Sequence, residues 1–274
     1  MEYKKRNFLI DGFRAKNIAK KFSTPTYCYS FKKIKENINN FKKNFRGIKP
    51  IICFAVKSNP NKILLTEIGK LGLGADVVSL GELKRALKSG IKPNKIVFSG
   101  VGKTNYELTS AIDKKILLIN AESESEIKEI EKIAKKKRLI VDIGIRLNPN
   151  TDAKTLSQIS TGKKENKFGV TEKIFLELVK YSRKSKNLNL KCVSVHIGSQ
   201  ILDHKPFDKM LRVLSRILSK TGFVFEYIDL GGGMGINYEK NSKKLNLNKY
   251  AISIKKFLKK FKSKIIFEPG RSII

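Results

Sequence analysis

At 274 residues and 41% hydrophobic, the chain can bury one sizeable core, and that length suits a single α/β barrel better than two small domains. The charge is lopsided, 58 Lys and Arg against 24 Asp and Glu for a net +34, yet the lysines are spread over nearly every segment, without aromatic interleaving or a helix-turn-helix pattern, which speaks for compositional bias and against a specific nucleic-acid partner. No apolar run is long enough to span a membrane, the opening MEYKKRNFLIDGF is no secretory signal, and the dispersed Cys28, Cys53 and Cys192 suggest neither a disulfide framework nor a metal site, which predicts a cytoplasmic protein.

Residues 1–30 fall outside the pattern that follows and contain strand-like pieces such as TPTYCYS, which need a partner to pair with. From there on, short β-branched runs alternate with stretches of helical period, the pattern of a parallel βα fold. Ile34, Ile38, Phe41 and Phe45 share one helical face. Strands are predicted at Pro50–Val56, Gly74–Ser79, Lys95–Ser99, Ile116–Asn120, Leu139–Leu147, Lys191–His196, Tyr227–Leu230 and Lys264–Phe267. A helix through Ile127, Ile130 and Ile133 is announced by Ser123 with Glu126 three residues on. Two more follow, through Phe207, Met210, Leu211, Leu214, Ile217 and Leu218, and through Leu247, Tyr250, Ala251, Ile254, Phe257 and Leu258. Eight strands with intervening helices over roughly 220 residues have the size of a TIM (β/α)8 barrel, a doubly wound sheet being the weaker alternative. The aperiodic stretch Asn148–Gly169, rich in Thr, Ser, Gly and Lys, reads as a functional loop.

In such barrels the active site lies at the carboxyl ends of the strands. Here those ends carry Lys57, then Asp76 and Glu82, Arg146, His196 with Ser199, Gly231–Gly233, and Glu268 with Gly270 and Arg271. Lys57 closes the apolar run IICFAV, where desolvation would lower its pKa and leave a nucleophilic amine. Singly, it reads rather as a strand-end lysine reaching solvent. The glycine run offers backbone amides to an anion, and Arg271 adds a guanidinium suited to phosphate or carboxylate. Glu268 ends a buried-looking strand and needs a cationic partner or a proton. His196 alone would read as a structural histidine. Together a lysine, an anion cradle, a carboxylate and a flat ring match what pyridoxal phosphate needs.

Several motifs carry a family resemblance, in order: FAVKSNPN, GADVVSLGEL, FSGVGKTNYEL, NAESESEI, IRLNPNTDA, STGKKENKFGV, HIGSQI, DLGGGMGINY and EPGRSII. The chain resembles the alanine-racemase-like, fold-type III decarboxylases. Within them HIGSQ, GVGKT and TGKKENKFG favour the diaminopimelate decarboxylase branch over the ornithine and arginine branch. The resemblance implies pyridoxal 5'-phosphate as cofactor, Lys57 as its Schiff-base lysine, His196 stacked on its ring and Glu268 at its pyridinium nitrogen. It implies Ser199, Gly231, Gly232, Gly233, Gly270 and Arg271 around the phosphate, with Arg271 also at the substrate, and Asp76, Glu82 and Arg146 nearby. The implied reaction is decarboxylation of meso-2,6-diaminopimelate to L-lysine. An ornithine- or arginine-type decarboxylase or a racemase would share these residues, and a non-catalytic cofactor-binding barrel is the alternative of another class. Family members continue beyond the EPGRSII motif into a β-rich domain that also uses the opening residues, supplies a cysteine acid and a tyrosine, and joins a dimer. The expectation is thus a segment 1–30 of a mostly missing β domain, a barrel over 31–274, a homodimer in the full-length form, and a chain inactive by itself.

Overall fold

A computed structural model describes residues 2–4, 6–153, 161–162, 168–238 and 245–274. Parts of the predicted loop Asn148–Gly169, namely 154–160 and 163–167, lie outside the described residues.

The opening segment pairs with itself. Strands β1 (Glu2–Lys4), β2 (Asn7–Ile10) and β3 (Phe13–Arg14) form an antiparallel sheet in that order, followed by helix α1 (Ala15–Phe22). Asp11 and Gly12, both at positive φ, make the two-residue turn between β2 and β3. The strand-like TPTYCYS is irregular backbone instead. Its Ser30 turns the chain by capping helix α2 (Phe31–Asn44), accepting the Lys33 amide at 3.0 Å.

Eight parallel strands then close a barrel: β4 (Ile51–Ala55), β5 (Gly74–Val77), β6 (Ile96–Phe98), β7 (Leu118–Ala121), β8 (Val141–Arg146), β9 (Leu188–Ser194), β10 (Tyr227–Asp229) and β11 (Lys264–Phe267). Neighbours in sequence are neighbours in space, and β11 pairs with β4 to remove the last edge. The predicted strands match these within a few residues, and the TIM barrel is the architecture found. Helices α3 (Lys62–Lys70), α4 (Leu80–Lys88), α5 (Asn105–Asp113), α6 (Glu124–Lys137), α7 (Glu172–Lys184), α8 (Lys205–Thr221) and α9 (Leu247–Leu258) follow β4 to β10 in turn. The apolar faces read from the sequence point inward: Ile34, Ile38 and Phe41 from α2 with Phe45 at its end, and Tyr250, Ala251, Ile254 and Phe257 from α9, are buried. α2 and α9 cover the closing seam, where the Phe45 ring lies 4.6 Å from Phe267 and the Tyr250 ring 4.4 Å from Phe207.

The barrel interior is divided by height. Side chains of a strand alternate between the helices outside and the barrel lumen. At one level Cys53, Val97, Leu118, Cys192, Tyr227 and Ile266 form a separate apolar cluster. Two residues further along each strand stand Ala55, Ser99, Asn120, Ser194, Asp229 and Glu268, five of them polar and all of these five buried. Gly144 belongs to the lower level of β8: a Cβ there would lie 2.1 Å from Asn120 Oδ1, so only glycine leaves room for that amide inside the barrel.

Candidate cofactor site

The polar level is a hydrogen-bonded floor. Asn120 Nδ2 donates to Asp229 Oδ2 at 2.9 Å and to Ser99 Oγ at 3.3 Å, and Ser99 Oγ donates to Glu268 Oε1 at 3.1 Å. Ser194 Oγ donates to Asp229 Oδ2 at 3.3 Å, while the Gly231 amide donates to Asp229 Oδ1 at 2.9 Å. Above this floor opens a cavity of about 600 Å³ whose walls include Lys57, Arg146, His196, Ser199, Gly233, Glu268, Gly270 and Arg271.

Lys57 sits in the short 3-10 turn after β4, its side chain open to the cavity, and Nζ pairs with Asp76 Oδ2 at 2.8 Å. Burial draws the Lys57 pKa down, but the charges of Asp76 and Glu268, with the Asp76 hydrogen bond, outweigh it and carry it above the ordinary value. The expectation of a neutral, desolvated amine is thereby corrected: Lys57 is an ammonium held by a buried carboxylate. Asp76 is fully buried, and its second oxygen has no hydrogen-bond partner among the described residues.

Glu82 stands further back, its carboxylate accepting the Val78 amide at 2.9 Å; burial first, and then Asp76, raise its pKa despite that bond and Lys57. His196 extends past β9. The Gly232 amide donates to its Nδ1 at 3.1 Å, so the ring's proton belongs on Nε2, and burial, with the Arg146 and Lys57 charges, holds its pKa well below 6.5. It is a neutral imidazole. Glu268 finds the proton that the sequence required of it: burial, then Asp229 and Asp76, push its carboxyl well above the usual range, and Lys57 only partly offsets them.

The glycine run divides its labour differently from the expectation. The Gly231 and Gly232 amides are used inside the protein, on Asp229 and His196 respectively, and of the three only Gly233 lines the cavity. Gly270 lines it beside Ser58, where a Cβ would approach Ser58 Oγ to 3.0 Å. Arg271 is exposed at the rim; Nη1 donates to Tyr238 Oη at 2.8 Å, with the guanidinium 5.8 Å from the Tyr238 ring centre. Reading the residues after each strand missed Ser99, Asn120, Ser194 and the part played by Asp229, because all four lie inside the predicted strands. The alternation in Leu118-Asn120 and Cys192-Ser194-His196 is the signal that finds them.

A cationic lysine, a neutral imidazole, a protonated carboxyl and glycine backbone around one open cavity define a cofactor-binding α/β barrel. The chain belongs to the pyridoxal-dependent decarboxylases: residues 31–274 match that family's pyridoxal binding domain. The cofactor is pyridoxal phosphate. The diaminopimelate decarboxylase of Helicobacter pylori is 46% identical over 96% of this chain and 65% of its own length, and that of Aquifex aeolicus is 42% identical over 100% and 66%. The crystal structure of diaminopimelate decarboxylase from Helicobacter pylori complexed with L-lysine superposes with a TM-score of 0.89 at 44% identity, over 94% of this chain and 67% of that one. The chain thus spans about two thirds of the length of the curated relatives it matches. No helix among the described residues is long and apolar enough to cross a membrane.

Proposed function

We propose that this barrel holds pyridoxal phosphate on Lys57 and serves the decarboxylation of meso-2,6-diaminopimelate to L-lysine and carbon dioxide. The observation that carries the reading is the convergence of Lys57, His196 and Glu268 on one cavity. The cavity suits the cofactor: its volume falls within the usual range of small-molecule sites, glycine backbone approaches it at Gly233 and Gly270, and Asp76 keeps an unused oxygen beside Lys57. Bound there, pyridoxal phosphate supplies an electron sink for the electrons that carbon dioxide leaves behind.

The chain's own groups do the rest. Asp76 holds the Lys57 Nζ in place at 2.8 Å. His196 offers a neutral ring face, fixed in orientation by the Gly232 amide. Glu268, on the floor of the barrel, would hold the pyridine nitrogen and supply it with a proton. Ser199, Gly233, Gly270 and Arg271 would take the phosphate, and Arg271 at the rim would also meet a substrate carboxylate. Gly231 and Gly232 support Asp229 and His196 from behind, and Glu82 and Arg146 set the charge around Lys57. The whole protein on this reading is a cytoplasmic homodimer, with residues 1–30 belonging to a second unit and 31–274 to the barrel. The diaminopimelate assignment is supported by relatives of that name, one of them seen with L-lysine.

Borohydride reduction with pyridoxal phosphate followed by peptide mapping tests the cofactor half; the label is expected on Lys57, and a label on any other lysine instead overturns it. Carbon dioxide release by the full-length polypeptide, compared across meso-diaminopimelate, ornithine, arginine and lysine, tests the other half. Preference for any of the last three refutes the substrate.

A further inference from the structure

Glu122 follows the last residue of β7 and has no part in the roles above. Its buried carboxylate receives three donors: one from the turn after β6, one from the last residue of β8 and one from the segment that follows β8. Oε1 accepts the Gly100 amide at 2.9 Å and Arg146 Nη1 at 2.7 Å, and Oε2 accepts the Gly169 amide at 3.1 Å. The turns after β6, β7 and β8 therefore meet on one carboxylate. Arg146 is itself almost wholly buried, with the Phe168 ring 4.8 Å from its guanidinium, and it forms part of the cavity wall. Its charge acts on both Lys57 and His196. A guanidinium lining the same cavity as Lys57 disfavours the ammonium unless a carboxylate pairs with it, and Glu122 is that carboxylate.

We propose that Glu122 is a positioning residue that locks Arg146 into the cavity wall, ties the turns at Gly100 and Gly169 to it, and shields Lys57 from the Arg146 charge. The locking rests on geometry alone, whereas the consequence for Lys57 rests on the reading of Lys57 as the cofactor lysine. A purely structural carboxylate would matter for folding and leave the charge state of Lys57 untouched.

The two roles separate in a charge-compensation experiment. In Glu122→Gln the pH midpoint of the Lys57–cofactor absorbance falls by about one pH unit, the lower end of what an unpaired cation at short range produces. Removing the second charge, in Glu122→Gln with Arg146→Met, returns the midpoint to the parent value. A midpoint that does not move in the single variant, or does not return in the double, overturns the shielding. Amide exchange in the cofactor-free protein reads the tethering directly. Glu122→Ala speeds exchange at Gly100 and Gly169 by about tenfold or more, as loss of a hydrogen bond to a charged acceptor requires, while Glu122→Asp retains part of the protection. Unchanged exchange at both glycines overturns the tethering. Should the parent protein show no absorbance from Lys57 at all, the cofactor assignment to Lys57 fails, and amide exchange alone still decides whether Glu122 ties the rim.

Discussion

Asp229 offers a quantitative test of the barrel floor. The carboxylate is fully buried, and burial raises its pKa more than the hydrogen bonds from Glu268, the Gly231 amide and Asn120 lower it; the result is a rise from 3.8 to about 6. In the unfolded chain Asp229 loses its proton near the lower value, whereas in the fold it keeps the proton until about pH 6. Between those limits the native state binds more protons than the unfolded one, so stability falls as pH rises and is flat above. Each factor of ten in proton affinity is about 1.4 kcal/mol, so the rise from 3.8 to about 6 corresponds to a contribution of about 3 kcal/mol, present below pH 4 and lost by pH 6. Asp229→Asn removes this titration. It also relaxes Glu268, whose carboxyl Asp229 pushes upward, which extends the window above 6. Urea unfolding of the cofactor-free parent and variant at several pH values from about 4 to 7 gives the difference in stability between them. That difference should shift in favour of the variant by about 3 kcal/mol across the window. A difference that stays constant with pH would show that Asp229 is ionised throughout and would refute the rise in its pKa.

Two further substitutions probe the elements that hold the site. Lys103 is buried in the turn after β6 and satisfies three acceptors, Gly100 O at 2.6 Å, Glu126 Oε1 at 2.7 Å and Asn120 O at 2.9 Å. Lys103→Met strands the buried Glu126 carboxylate and should lower the unfolding free energy by about 3–5 kcal/mol, read by urea denaturation; a loss below about 1 kcal/mol, the scale of an exposed pair, would contradict the pairing. Gly232→Ala places a methyl 2.2 Å from the Glu268 carbonyl oxygen, a backbone atom that cannot swing aside. It should weaken cofactor binding at least about tenfold, the equivalent of 1.4 kcal/mol, measured by fluorescence titration, and unchanged affinity would mean that the turn adapts.

The sequence makes the barrel legible because each strand announces itself twice, by its β-branched run and by the helical period on either side. Ile34, Ile38, Phe41 and Phe45 are all buried as their spacing requires. The ends of the strands were equally readable, and Lys57, Arg146, His196 and Glu268 do share one cavity. Two things were not read. Residues 1–30 carry the Asp11-Gly12 pair between Ile10 and Phe13, a hairpin signal of two residues flanked by strand formers. The sign of the Lys57 shift was also out of reach, since it is set by Asp76 and Glu268, 19 and 211 residues away in sequence, and no local pattern shows that the lumen brings them together.

The division of the lumen explains how the site accommodates so many buried carboxyl groups. Asp76, Asp229 and Glu268 would repel one another and lose hydration in a uniformly apolar barrel. Here Asp229 and Glu268 share one level, bridged by neutral donors from Ser99, Asn120 and Ser194, while Asp76 pairs with Lys57. One level below, Cys53, Val97, Leu118, Cys192, Tyr227 and Ile266 close the barrel without polar side chains in need of partners, apart from the Tyr227 hydroxyl. A shift of one residue in any strand would exchange its lumenal and helix-facing side chains. The register that builds the hydrophobic core therefore also fixes the carboxyl floor, and strand pairing and site chemistry are specified by the same alternation.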